Sequence, residues 1–407
     1  MKHDDFGQLA RAPRRGLTLI DVLVAVVTIA LILAITLPAT ARLRTASMTD
    51  ESIVNLLLLG VAHAAYAVDW NERQYTAVVD DISAYGDSQL TAFANYHVAG
   101  GGCDANGDPG CHPPTSLGWC QGSLWSFWAN HAGNWVTYIP YRFDSGQTTF
   151  GSFRLPNAEK FHDYVDGRFY STTFYAPADL PVREAVEDLL DHPCEFVYTV
   201  FAYWSSYSRS PAGLYAPPVL SLDTTTGLRY RDPWSFDSAH EAPPLTAATY
   251  PGLKTMMLEH HWIRNAPKDR CNPNFTAGTY DGCEPWYFNH GIDSEPATLF
   301  YDLNVRLLPN AEVQAWDQHL IQQTDVGVWS RDTPHGSNGY FLDVGYDAIV
   351  DVSHHVYTID GIQGRDTLGS MPPPLGEGIG PRSRPRTHRS LAPAVAPGTG
   401  LEPEVGP

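Results

Sequence analysis

The chain has 407 residues and a formal net charge of −19 at pH 7, with 26 basic against 45 acidic side chains. That balance gives no basic face for phosphate, so no nucleic acid is expected among its partners. Hydrophobic residues at 43% and aromatic residues at 12% exceed what a disordered chain carries, so a folded part with a sizeable core is expected.

Residues 1–16 read MKHDDFGQLARAPRRG, where Lys2, Arg11, Arg14 and Arg15 outnumber Asp4 and Asp5. Leu17 to Leu37 follows with a single charge, Asp21. As a helix this segment spans about 31 Å, against a hydrocarbon core of about 30 Å. The basic residues before it place that end in the cytoplasm and everything after it on the other side. A carboxylate in such a span costs roughly 2.5–3.5 kcal/mol on insertion scales, so Asp21 needs either the interface or a dedicated cation. Pro38 removes one helical hydrogen bond and bends the helix. Two ordinary export signals compete for these residues: the small-residue pattern Ala39-Thr40-Ala41 and the pair Arg14-Arg15. The apolar run is longer than the usual signal core of about 7–15 residues, and neither signal accounts for Asp21 and Pro38.

Residues 39–70 read as a continuing helix, with Ile53, Leu56, Leu57, Gly60 and Ala64 at three- and four-residue steps as its apolar face. Residues 76–310 are rich in Gly, Pro, Tyr and Trp. Their β-prone runs are Trp135–Tyr141, Phe196–Tyr203 and Thr298–Leu308, and Arg183–Leu190 has a helical pattern. The fold class expected is α+β, a long N-terminal helix packed on an antiparallel-sheet head with long loops. Val350, Val352, Val356 and Ile359 suggest a strand and turn within 311–366, and the Pro- and Gly-rich stretch from about Thr367 reads as a disordered tail.

The segment RRGLTLIDVLVAVVTIALILAITLPA resembles the class III signal of type IV pilins and type II secretion pseudopilins. That resemblance implies a prepilin peptidase that cuts after Gly16, with Arg14 and Arg15 as the basic end of the leader. It implies N-methylation of Leu17, an assembly carboxylate at Asp21 and a helix kink at Pro38. The new amine on Leu17 of a neighbouring copy would be the cation Asp21 needs. Leu17 stands where the family usually has Phe, and Asp21 where it usually has Glu. The segment Val54 to Tyr75 resembles the end of the long helix in the large pilin-like families of planctomycete-type bacteria, through Asn55-Leu56, Gly60, Tyr66-Ala67, Asp69 and Asn71. Phe288 to Leu308 resembles the closing hairpin of the same families, through His290, Gly291 and Phe300-Tyr301-Asp302, with Leu303 where those families have Gly. A His and an acid that bracket a hairpin more often fix a turn than do chemistry. The expected division is leader 1–16, transmembrane and assembly helix 17–70, head 71–366 and tail 367–407. The expected partners are the peptidase, other pilin or pseudopilin subunits and the bacterial inner membrane, with the head in the periplasm.

Asp104, Asn106 and Asp108 place oxygens at alternate positions, like the start of a calcium loop. Pro109 stands where such a loop needs Gly and Thr115 where it needs Glu, which leaves either a looser calcium site beside Cys103 and Cys111 or a polar turn. The pairs His260-His261 and His354-His355, with His290, offer too few convergent ligands for zinc. No nucleophile elbow, phosphate loop or dinucleotide fingerprint occurs, so neither an enzyme nor a resident cofactor is expected. Six cysteines allow up to three disulfides, of which the short loops Cys103–Cys111 and Cys271–Cys283 are the easiest to imagine. The chain therefore reads as a structural, pilin-like subunit. The alternative is a membrane-tethered protein that binds a ligand or carbohydrate through aromatic loops such as Trp119–Trp128 and does not polymerise.

Overall fold

In a computed structural model the described residues are 19–88, 91–92, 95–96, 99, 115–121, 123–127, 140, 152–155, 157–197, 205–259, 295–329, 332–333, 336–337 and 358–369. Helix α1 runs from Leu19 to Asp69 without interruption, 51 residues or about 76 Å. Its N-terminal part is long and apolar enough to cross a membrane. The hydroxyls of Thr28 and Thr36 donate to the carbonyls of Val24 and Ile32 at 2.7 and 2.9 Å, so these polar groups need no outside partner. Pro38 lies within the helix.

Strands β1 (Thr115–Cys120) and β2 (Ser123–Phe127) form a hairpin. The aromatic stretch expected as a loop from Trp119 is thus largely strand, and the Trp119 indole donates to Glu159 Oε1 at 3.1 Å. Gly118 has φ of +150°, and a Cβ there would stand 2.8 Å from that of Glu195, so the bulged strand requires glycine. Cys120 is bonded to Cys194, a pairing across 74 residues that short loop spacing did not suggest. Glu195 N–H donates to the Trp119 carbonyl and Glu195 Oε2 accepts from Trp119 N–H, which fastens the same two segments. Cys103, Cys111, Cys271 and Cys283 lie outside the described residues.

The main sheet has four strands, β3 (Tyr207–Arg209), β4 (Thr255–Glu259), β5 (Ala297–Phe300) and β6 (Val305–Leu307), in that order and antiparallel throughout. Alternation along β5 divides the core: Ala297 and Leu299 join the cluster under α1, and Phe300 joins a second cluster on the other side. Between β1–β2 and the sheet lie a one-turn helix α2 (Glu159–His162) and α3 (Leu180–Leu190), which begins three residues before the helical pattern read from sequence. The second cluster holds Val313 and Trp316 of α4 (Asn310–Thr324), a helix the sequence pattern did not announce. Of the run Phe196–Tyr203, Phe196 and Val197 are not strand and the rest lies outside the described residues, as does nearly all of Trp135–Tyr141. Packing continues past residue 366: Thr367 is buried, and Leu368 lies against the second cluster.

Candidate assembly helix and its seat on the head

The second half of α1 presents two apolar faces. The inner face is Ser52, Asn55, Leu56, Leu59, Gly60, Ala62, His63, Tyr66 and Ala67, all buried. It is rotated from the face expected: Leu57 is 41% exposed, and the polar Ser52, Asn55 and His63 point inward instead.

Each inward polar group but one has a partner that explains it. Ser52 Oγ donates to Glu259 Oε1 at 2.7 Å and lies 2.9 Å from the Tyr207 hydroxyl. Asn55 Nδ2 reaches the Tyr207 hydroxyl at 3.4 Å. Glu259 Oε2 accepts from the Ala297 N–H at 3.1 Å. A carboxylate inside a core is costly unless donors reach it, and Glu259 takes one from α1 through Ser52 and one from β5 through Ala297. They fix the height of the helix on the sheet as well as its rotation. The exception is His63 Nδ1, which has no hydrogen-bond partner among the described residues, while its ring packs at a tilt against Phe161 with the ring centres 4.7 Å apart.

Gly60 is where α1 crosses the sheet. A Cβ there would stand 3.2 Å from Leu299 Cδ1 and 3.4 Å from Leu303 Cδ2. The helix then ends in an aromatic cluster. Tyr66 stacks on Trp70 at 5.4 Å and meets Tyr75 and Tyr164 edge-on at 5.6 and 5.3 Å, and Tyr75 stacks on Phe161 at 4.5 Å. Pairs of this kind contribute about 0.5–1.5 kcal/mol each beyond their burial. The Tyr164 hydroxyl donates to Asp69 at 2.9 Å, and Asn71 and Glu72 turn the chain with φ of 55° and 64°. Behind Tyr75 the guanidinium of Arg209 lies 5.3 Å from the ring centre. Burial pulls the pKa of Arg209 down to about 10, against the opposing pull of Tyr75, Tyr301 and Tyr66. No carboxylate pairs with it among the described residues.

In the β5–β6 hairpin Asp302 is exposed, and its Oδ1 accepts from Asn304 N–H at 3.0 Å, an interaction that shapes the turn. Leu303, the next residue of the turn, has φ of 63°. The Tyr301 hydroxyl donates to Gln74 at 2.9 Å.

Of the remaining sequence candidates, Gly16, Leu17, Arg14, Arg15, His290 and the calcium candidates Asp104, Asn106 and Asp108 lie outside the described residues, and Asp21 is described only as a helical position. The histidine pairs at 260–261 and 354–355 also lie outside. Among the described residues no group of three His, Cys, Asp or Glu side chains is placed to hold a metal.

The outer face of α1 carries Val54, Leu57, Leu58, Val61 and Val68, with Val61 62% and Val68 81% exposed. They recur at three-, four- and seven-residue steps, a continuous stripe that faces away from the head. The head itself has an open cleft of about 680 Å³, lined among others by Asp223, Thr226, Tyr230, Arg231 and Asp232. Asp223 is engaged there with Thr225 N–H at 2.8 Å and the Thr226 hydroxyl at 3.0 Å. No family model, curated protein or solved structure matches the chain.

Proposed function

We propose that this chain is a pilin-like structural subunit, a pseudopilin of a type II secretion or type IV pilus-like system. In this reading it is inserted in a bacterial inner membrane with its N-terminus in the cytoplasm, cut after Gly16 and methylated on Leu17, and its head lies in the periplasm. The observation that carries the reading is the outer face of α1. A single-pass anchor needs about 20 apolar residues. Here a second exposed apolar stripe lies beyond that length, from Val54 to Val68, on the side turned away from the head. An exposed stripe of this extent marks a contact surface, and a helix is the partner it fits. The Cys120–Cys194 disulfide suits a head outside the cytoplasm.

The cleft supports the second reading, a tethered protein whose head takes a polar ligand such as a saccharide through Tyr230, Asp232 and neighbouring hydroxyls. One experiment separates the two. A photo-crosslinking residue placed at Val61 in membrane-embedded full-length chain yields, for a subunit, a ladder of copies or of heterologous small subunits joined through α1. A tethered monomer yields only uncrosslinked chain.

A further inference from the structure

The segment Thr358–Thr367 returns to the sheet beside β4, and its polar contacts converge on one pair. Lys254, which precedes β4, and Asp366 are both 0% exposed. Lys254 Nζ lies 3.0 Å from Asp366 Oδ1. It also donates to Thr358 Oγ1, which in turn donates to Asp366 Oδ1 at 2.7 Å. The other carboxylate oxygen, Oδ2, accepts from the Thr255 backbone N–H at 3.0 Å. Asp366 N–H donates to the Leu253 carbonyl at 2.9 Å, which fixes the backbone on both sides.

Two buried charges are poorly served here. Desolvation costs several kcal/mol per ion, and burial lowers the pKa of Lys254, with Asp366 the chief opposing influence. Transfer of one proton from Nζ through Thr358 to Oδ1 gives a neutral amine beside a neutral acid. That is a nucleophile against an electrophilic carbon. Oδ2 already rests on an amide donor placed as an oxyanion would need it. A shared hydroxyl links the nucleophile to the oxygen that must leave.

We propose that Lys254 and Asp366 condense into an intramolecular isopeptide bond. The Nζ lone pair attacks Cγ, and the Thr255 N–H stabilises the charge that develops on Oδ2. Thr358 takes a proton from Nζ and delivers its own to Oδ1. The Cγ–Oδ1 bond then breaks and Oδ1 departs as water. Ammonium and carboxylate become one secondary amide and one water, with no change of oxidation state and no co-reactant. Fixed contact between the reacting groups supplies the proximity that makes such a condensation accessible, and burial keeps out the solvent that would reverse it. The bond joins positions 112 residues apart and fastens the C-terminal packed segment to the sheet. It does not depend on the pilin reading.

The test is the intact mass of the wild-type full-length chain, purified from membranes in detergent and reduced. The expected mass is one water below that of its sequence, whatever its N-terminus, and digestion yields a branched peptide that joins residues 254 and 366 and survives reduction. Lys254→Arg should abolish the branch. Thr358→Val should keep the pair in contact but slow the reaction roughly 100-fold, the usual scale for a lost proton relay. Linear peptides that hold free Lys254 and free Asp366 in full yield from the wild type would overturn the proposal. Wild-type yield in Thr358→Val would overturn the relay.

Discussion

At Gly60 the neighbours of a new side chain are the tips of Leu299 and Leu303, not backbone. Gly60→Ala is therefore expected to be nearly neutral, because a shift of a few tenths of an ångström is offset by better helix propensity, worth about 0.5–1 kcal/mol. Gly60→Val wedges α1 off β5 and should cost about 1–3 kcal/mol in chemical denaturation of the head. A second residue-scale effect comes from His240, whose ring is wholly buried between Tyr215 and Trp234, with Nδ1 2.6 Å from Ser83 Oγ. Burial lowers its pKa from 6.5 to about 3, and burial likewise lowers that of His162 to about 4, against the pull of Glu195. Both are folded-state values depressed below the unfolded one. Below pH 6.5 the unfolded chain takes up protons the native one refuses, so stability is full above that pH and falls as pH drops toward 4 and then 3. The slope is at most about 1.4 kcal/mol per pH unit per histidine. Melting temperature followed from pH 7 downward should decline less steeply in His240→Gln than in the wild type; parallel profiles would show that His240 is not the sensing group. The residues of the helix seat were unevenly legible in sequence. Asn55, Gly60 and Tyr66 stood out through a resemblance, whereas Ser52, His63 and Arg209 did not, because their partners Glu259, Phe161 and Tyr75 come from distant positions in the chain.

At the scale of elements, α1 was the easiest to read and its orientation the hardest. An apolar run with one charge announces a helix, but both sides of residues 52–68 are apolar, so periodicity cannot say which side faces the head. Three inward polar residues decide it. The outer stripe allows a direct prediction: Leu58→Glu, at a position 52% exposed, should leave head stability within about 0.5 kcal/mol of wild type, as an exposed site does, yet abolish helix-to-helix cross-linking from position 61 in membranes. Retained cross-linking would assign the stripe no part in assembly. Strands β5 and β6 fall within the β-prone run Thr298–Leu308 except for Ala297, whereas β3 and β4, three and five residues long, are too short for alternation to be recognised beforehand. Helix α4 was missed because its buried face includes Asn310 and Asp317, which blur its pattern. The Cys120–Cys194 bond closes a long loop, and its reduction is expected to cost the head about 2–4 kcal/mol, measured as a shift in denaturation midpoint with and without reductant.

For the whole molecule, the sequence conveyed the class of architecture, a long helix on an α+β head, because that follows from one apolar run and from Gly-, Pro- and aromatic-rich composition. It did not convey how the head is stitched. The disulfide, the Glu259 centre and the Lys254–Asp366 pair each join segments far apart in sequence. Of these long-range ties only the Glu259 centre reaches α1; the other two hold segments of the head to one another. The most direct test is the mature N-terminus, determined by mass spectrometry of the chain extracted from membranes. The expected first peptide begins at Leu17, with or without an N-methyl group. A chain that still begins at Met1, or one that begins near Arg42 with the apolar helix removed, would contradict it.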